Sequence, residues 1–231
     1  MKRAALPEIT WSRAAGRARP RPLRAAALAL TGATADELAR AIAQASAFDP
    51  GPALIAVDGG IAACRALRRE PELFVGDLDS ARKAPEGVRA VIYPKAKAFS
   101  DLAGALVEVR RLRADVVAIA GLLGGRLDHE WANLLEVGAS AKRFDGMMAV
   151  DTRGLILVTA HGVRVAGLRG RTVSLFAFGR DARVTLTGAR WPLSRARLAP
   201  GSLGLSNVAR GAVTLTVHSG TVALVVPGSE R

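Results

Sequence analysis

Leu73-Phe74-Val75-Gly76-Asp77-Leu78-Asp79-Ser80 decides how this chain is read: three apolar residues stop on a glycine, and two aspartates follow at alternate positions. So short an apolar run with such an ending is a buried strand feeding a polar loop. In an extended segment, residues two apart point the same way, which places Asp77 and Asp79 to reach one cation. Mg²⁺ takes a few hard carboxylate oxygens and completes its shell with water and phosphate. For Gly76-Asp77-Leu78-Asp79-Ser80 alone, a turn with capping aspartates is an equal alternative. Asp101, a third acid, favours metal.

Outward from this stretch the chain alternates strand and helix. Residues 25–30, 53–57, 90–93 and 116–120 read as further short strands, and 35–46, 61–68, 100–112 and 128–139 as helices. Such alternation implies a mostly parallel sheet with helices on its faces. After Asp145 the pattern changes. Residues 147–150, 155–159, 172–178, 183–187, 213–218 and 222–226 are short, rich in β-branched residues and punctuated by glycine, as in an antiparallel sandwich or barrel. The expected fold is therefore α/β: a mostly parallel sheet with flanking helices over 24–145, followed by a smaller all-β sandwich or barrel over 146–231. Residues 1–23, rich in Arg, Ala and Pro, are expected to be a mobile basic leader.

Composition bounds the function. The net charge is +13, with seven basic residues against Glu8 alone through residue 24 and the remainder dispersed. Aromatics are 4%, and no basic stripe with interleaved aromatics appears, so nucleic acid is not the expected partner. Cys64 is the one cysteine. It excludes an intramolecular disulfide or a cysteine metal cage and fits a reducing, cytoplasmic setting. No apolar run approaches the roughly 20 residues of a membrane-spanning helix.

In open α/β sheets, ligands bind beyond the carboxyl ends of the strands, and the polar motifs fall there. Asp58-Gly59-Gly60 follows the second strand, Ser100-Asp101 lies beyond the fourth, and Gly124-Gly125-Arg126-Leu127-Asp128-His129 follows the fifth. Asp58-Gly59-Gly60 is either an ordinary turn or a backbone that approaches a nucleotide closely. Gly124 and Gly125 can open N–H groups toward phosphate, and Arg126 offers forked, charge-assisted hydrogen bonds. Asp128 either caps a helix or holds a substrate group. There is no Gly-x-x-x-x-Gly-Lys-Ser/Thr loop, no Gly-x-Gly-x-x-Gly fingerprint and no serine elbow.

These motifs, with Pro71-Glu72 before the aspartate stretch, Asn133, Gly188-Ala189-Arg190-Trp191-Pro192-Leu193 and Gly204-Leu205-Ser206-Asn207, resemble the thiamine pyrophosphokinase family over about residues 25 to 226. The resemblance implies transfer of a pyrophosphoryl group from ATP to the hydroxyl of thiamine, leaving AMP, with Mg²⁺ as cofactor. It implies a homodimer whose active sites lie between the α/β part of one subunit and the β part of the other. Carried over by position, Asp77, Asp79 and Asp101 hold the metal, and Arg126 touches phosphate beside Asp58, Gly59, Gly60, Gly124 and Gly125. Ser100, Asp128, Ser206 and Asn207 stand on the substrate side. Lys97-Ala98-Phe99-Ser100-Asp101 departs from the family's Lys/Gln-Asp-x-Thr-Asp: Ser100 keeps the hydroxyl, but Ala98 lacks a carboxylate. Another acceptor alcohol, or a weakly catalytic binding protein, is the alternative.

Overall fold

A computed structural model describes residues 7–12 and 22–228. Pairing begins earlier than expected. Ile9–Trp11 form β1, antiparallel to β9 (Gly162–Val165), with Trp11 opposite Val163. A Cβ on Gly146 would meet the Trp11 indole at 2.1 Å, so this glycine leaves the space in which the ring is buried. The mobile leader expected over 1–23 is corrected at residues 9–11; residues 1–6 and 13–21 lie outside the described residues.

The expected alternation is present in β2 (Ala25–Ala29), α1 (Ala35–Ser46), β3 (Ala53–Val57), α2 (Ile61–Ala66), β4 (Leu73–Gly76), β5 (Arg89–Ile92), α3 (Asp101–Arg111), β6 (Val116–Ala120) and α4 (Leu127–Ser140). The strands lie parallel in the order β6-β2-β3-β4-β5. Alternate residues of β2 serve opposite layers. Ala25, Ala27 and Ala29 share a core with Leu38, Ala41 and Ala45 of α1. Ala26 and Leu28 share the other with Leu102, Ala105, Leu106 and Val109 of α3. A strand covered on both faces reads as a continuous apolar run, which is why it was legible. Thr34 and Glu37 close a reciprocal capping box that fixes the start of α1.

The second half comprises β7 (Gly146–Asp151), β8 (Gly154–Thr159), β9, β10 (Thr172–Ala177), β11 (Ala182–Ala189), β12 (Leu193–Leu198), β13 (Gly204–Ser219) and β14 (Val222–Pro227). β7 pairs parallel with β6, and β8 turns back antiparallel on β7. β14, β10 and the first part of β13 extend the same sheet. Residues 146–159, expected in a separate β unit, are thus hydrogen-bonded into the α/β sheet. The rest of β13 pairs with β9 and β11 in a second layer that also holds β1 and β12. Val163, Val184 and Leu215 of that layer share one core with Leu157, Leu175 and Leu224 of the main sheet. This is the expected sandwich, fused to the α/β sheet rather than linked to it. Among the described residues, no helix is long and apolar enough to cross a membrane.

Candidate active site

The loops at the carboxyl ends of β3 and β4 bring carboxylates together. Asp58, Asp77 and Asp101 each place one oxygen within 4.8 Å of the others. Asp58 begins the loop after β3 with φ at 42°, a left-handed conformation that Asp tolerates better than most residues. A Cβ on Gly76 would come within 2.9 Å of the Asp58 side chain, so Gly76 makes room for it. The buried Asp58 carboxylate accepts from the N–H groups of Ser80 at 2.9 Å and Ala81 at 3.3 Å. It therefore ties down the loop that carries Asp77.

That loop is a turn. Leu78 has φ at 64°, and the Asp79 N–H donates to Asp77 Oδ1 at 3.1 Å. The expectation of an extended segment with both aspartates on one side is corrected here. The left-handed residue between them breaks the alternation, and the side chain of Asp77 satisfies the backbone instead. Asp79 lies outside the carboxylate group; it is 74% exposed and pairs with Lys95 at 3.1 Å. Asp58, expected for its backbone, supplies the third carboxylate.

At the centre sits Lys97, which spacing and composition did not single out. Its ammonium hydrogen-bonds to Asp77 and lies 3.1 Å from Asp101 Oδ1. The Lys97 and Asp77 side chains are 8% and 12% exposed. The hydrogen bond from Lys97 holds the Asp77 carboxyl below the usual carboxylate range, against the opposing effect of burial. Burial raises Asp101, opposed by the Lys97 ammonium and reinforced by the charge of Asp77. Burial works against the Lys97 charge, but the two carboxylates outweigh it and raise that group. The loop is braced from beneath: Tyr93 meets Phe99 edge-on at 5.0 Å, and its ring occupies the space beside Gly104. Ser100 accepts from the Ala103 N–H at 3.1 Å, capping α3, so its oxygen already serves the helix.

The other expected residues divide similarly. A Cβ on Gly60 would lie 1.8 Å from the Ala29 carbonyl, and one on Gly59 would lie 2.9 Å from Thr31. Both glycines therefore make way for the protein's own chain. Gly124 takes φ at 95°, and its N–H donates to Glu130 rather than standing open. No atom crowds a Cβ built on Gly125. Arg126 and Asp128 form a two-point pair, 2.6 and 3.2 Å, with both side chains mostly exposed. The Arg126 hydrogen bond holds the Asp128 carboxyl below its usual range. On β13, Ser206 takes φ at 60° and donates its N–H to the Ser174 hydroxyl. The buried Asn207 side chain accepts from Trp191 N–H at 3.1 Å and Val208 N–H at 2.8 Å, and donates to the Trp191 carbonyl at 2.7 Å. It anchors the Trp191 turn. Cys64 is buried, its thiol pushed up to about 11, and belongs to the core.

Two family models match in tandem: "Thiamin pyrophosphokinase, catalytic domain" over residues 47–145 and "Thiamin pyrophosphokinase, vitamin B1 binding domain" over residues 160–222. Thiamine pyrophosphokinase 2 of Oryza sativa subsp. japonica is 27% identical over 166 residues, covering 64% of this chain and 62% of that relative's length. The fold is that of the solved thiamine pyrophosphokinase of Bacillus subtilis, with a TM-score of 0.73 at 21% identity over 90% of this chain and all of the other. The Candida albicans enzyme gives 0.68 at 12% identity, over 89% of this chain and 90% of that one.

Proposed function

Because this chain belongs to the thiamin pyrophosphokinase family, we propose that it transfers a pyrophosphoryl group from ATP to the hydroxyl of thiamine, giving thiamine diphosphate and AMP. The observation that carries this reading beyond family membership is the meeting of Asp58 and Asp77, just past the adjacent strands β3 and β4, with Asp101 at the start of α3. Three hard oxygens so close together fit a small divalent cation such as Mg²⁺. Bound there, Mg²⁺ would neutralise charge on the nucleotide's phosphates. Asp79, in a turn beside the group, joins it only if the loop moves.

The reaction makes a bond from the alcohol oxygen to the β-phosphorus of ATP. It breaks the bond from that phosphorus to the oxygen bridging the α-phosphate, so AMP departs with that oxygen and the alcohol's proton passes to a base. No covalent work is required of the protein. Its task is to position two substrates and stabilise anionic charge. Arg126, exposed at the start of α4, is placed to exchange Asp128 for phosphate. Asp128, so released, is available to a cationic or hydrogen-bonding group of the acceptor.

Two observations support a homodimer. Along the sheet, β4, which Asp77 directly follows, stands eight pairings from β13 with Ser206 and Asn207, roughly 38 Å at ~4.8 Å per step. A pocket using both therefore draws them from two copies. Leu127, Trp131 and Leu135 form an exposed apolar stripe on α4, and Trp191, Leu203 and Leu205 are exposed in the β half. Two such apolar faces are what a two-fold association would bury.

Ala98, exposed beside Lys97 where the family pattern has an acid, favours a second reading: another acceptor alcohol, or nucleotide and thiamine binding with little turnover. Thermal melts test the common part. ATP and Mg²⁺ together should raise the melting temperature more than the sum of their separate effects. An additive response would remove the shared metal–nucleotide site.

A further inference from the structure

The positive charge that these carboxylates hold belongs to the protein itself. Lys97 and Lys95 lie two residues apart in one loop and behave oppositely. Lys95 is 69% exposed on Asp79, whereas Lys97 is 8% exposed and engages both Asp77 and Asp101. Burying an ammonium is costly unless anionic partners compensate it, and these two carboxylates do so. They are also two of the three whose oxygens converge within 4.8 Å. A second cation cannot enter that space beside the ammonium without strong repulsion.

We propose that Lys97 is an exchangeable counter-cation. It occupies the carboxylate group before nucleotide arrives, yields that place to the divalent ion carried in with ATP, and then pairs with the nucleotide's phosphates. The inference rests on the metal–nucleotide reading of the site. The charges suit an exchange: three carboxylates with one ammonium sum to −2, and with one divalent cation to −1. The freed ammonium then meets the phosphates, which also carry negative charge. The loop can hold still meanwhile, since Tyr93 packs against Phe99 and Ser100 caps α3. A lysine's flexible four-carbon stem lets the charge move without its backbone.

Metal and nucleotide should then bind with positive coupling, because a cation arriving alone must displace a salt-bridged lysine, whereas phosphates give that lysine a new partner. The test is Mn²⁺ binding to the full chain, by calorimetry and by the electron paramagnetic resonance of free Mn²⁺, with and without a non-hydrolysable ATP analogue. Lys97→Met should bind Mn²⁺ alone at least about tenfold more tightly than wild type, and the coupling factor should fall by a similar amount. Lys97→Arg, which keeps a cation in place, should bind Mn²⁺ alone no more tightly than wild type. Melting curves check that each variant is folded. If the methionine variant does not fold, Lys97→Gln carries the same prediction.

Equal or weaker Mn²⁺ affinity in the uncharged variant, or undiminished coupling, would overturn the exchange while leaving the metal site standing. Failure of wild type to bind Mn²⁺ even with the analogue would overturn the underlying reading and the exchange with it.

Discussion

Asp58 belongs to the carboxylate group and also anchors the loop bearing Asp77, so its substitutions should separate two effects. Asp58→Ala removes the acceptors for Ser80 and Ala81. Hydrogen bonds to a charged acceptor contribute about 1.5–3 kcal/mol each. The 3.3 Å bond is the weaker, and the exposed Ser80 can rehydrate, which places their sum near the lower end. Alanine also tolerates the left-handed backbone at 42° less well, for about 1 kcal/mol more. A loss of about 3–5 kcal/mol follows, or roughly 10 °C in melting temperature for a chain of this length. Asp58→Asn keeps an acceptor oxygen and the tolerance of positive φ, so about half that loss is expected. Both variants lose the carboxylate, and both should lose the synergy between ATP and Mg²⁺. Calorimetric melts with and without the two ligands read both quantities. An alanine variant within about 0.5 kcal/mol of wild type would refute the anchoring role. Full synergy in Asp58→Asn would refute its place among the metal-holding carboxylates.

Ala98→Asp should raise kcat with thiamine about tenfold or more while leaving ATP affinity nearly unchanged, because the restored acid serves the acceptor; steady-state kinetics decide, and no gain would point to another acceptor or to a binding role. Light scattering should give about twice the 24.1 kDa chain mass, and Trp131→Glu, on the exposed face of α4, should shift it toward the monomer. Asp151 is held below the usual carboxylate range mainly by its hydrogen bond from Arg153. A lowered folded-state value means its stabilisation is present above about pH 4 and is lost as pH falls through that value. The stability difference between wild type and Asp151→Asn should therefore shrink on acidification below pH ~4, as read by denaturant melts across pH.

Much of the α/β half was legible because β2, β3, β4 and β6 are buried almost throughout and α1 and α3 open on side-chain caps; α1 runs over Ala35–Ser46, the predicted span. Sheet membership was less legible. Residues 147–150 read correctly as a strand, but hydrophobic pattern does not name a pairing partner, and β7 joins β6. β1, β9 and β12 escaped because three or four residues are too few to show a period and because arginines interrupt β12. At the site, glycine-rich motifs marked close approach without revealing what approaches: Gly60 makes way for the Ala29 carbonyl. Asp77 and Asp79 were separated by one left-handed residue, Leu78, which composition does not predict. Lys97 offered one signal, its four-residue spacing to Asp101, but that spacing crosses the cap at Ser100 and does not lie on one helix.

Product analysis tests the central claim most directly. Purified chain incubated with ATP, Mg²⁺ and thiamine, and resolved by phosphorus NMR and chromatography, should accumulate AMP and thiamine diphosphate in equal amounts, and neither when Mg²⁺ is chelated. AMP without thiamine diphosphate, or neither product with Mg²⁺ present, would contradict it.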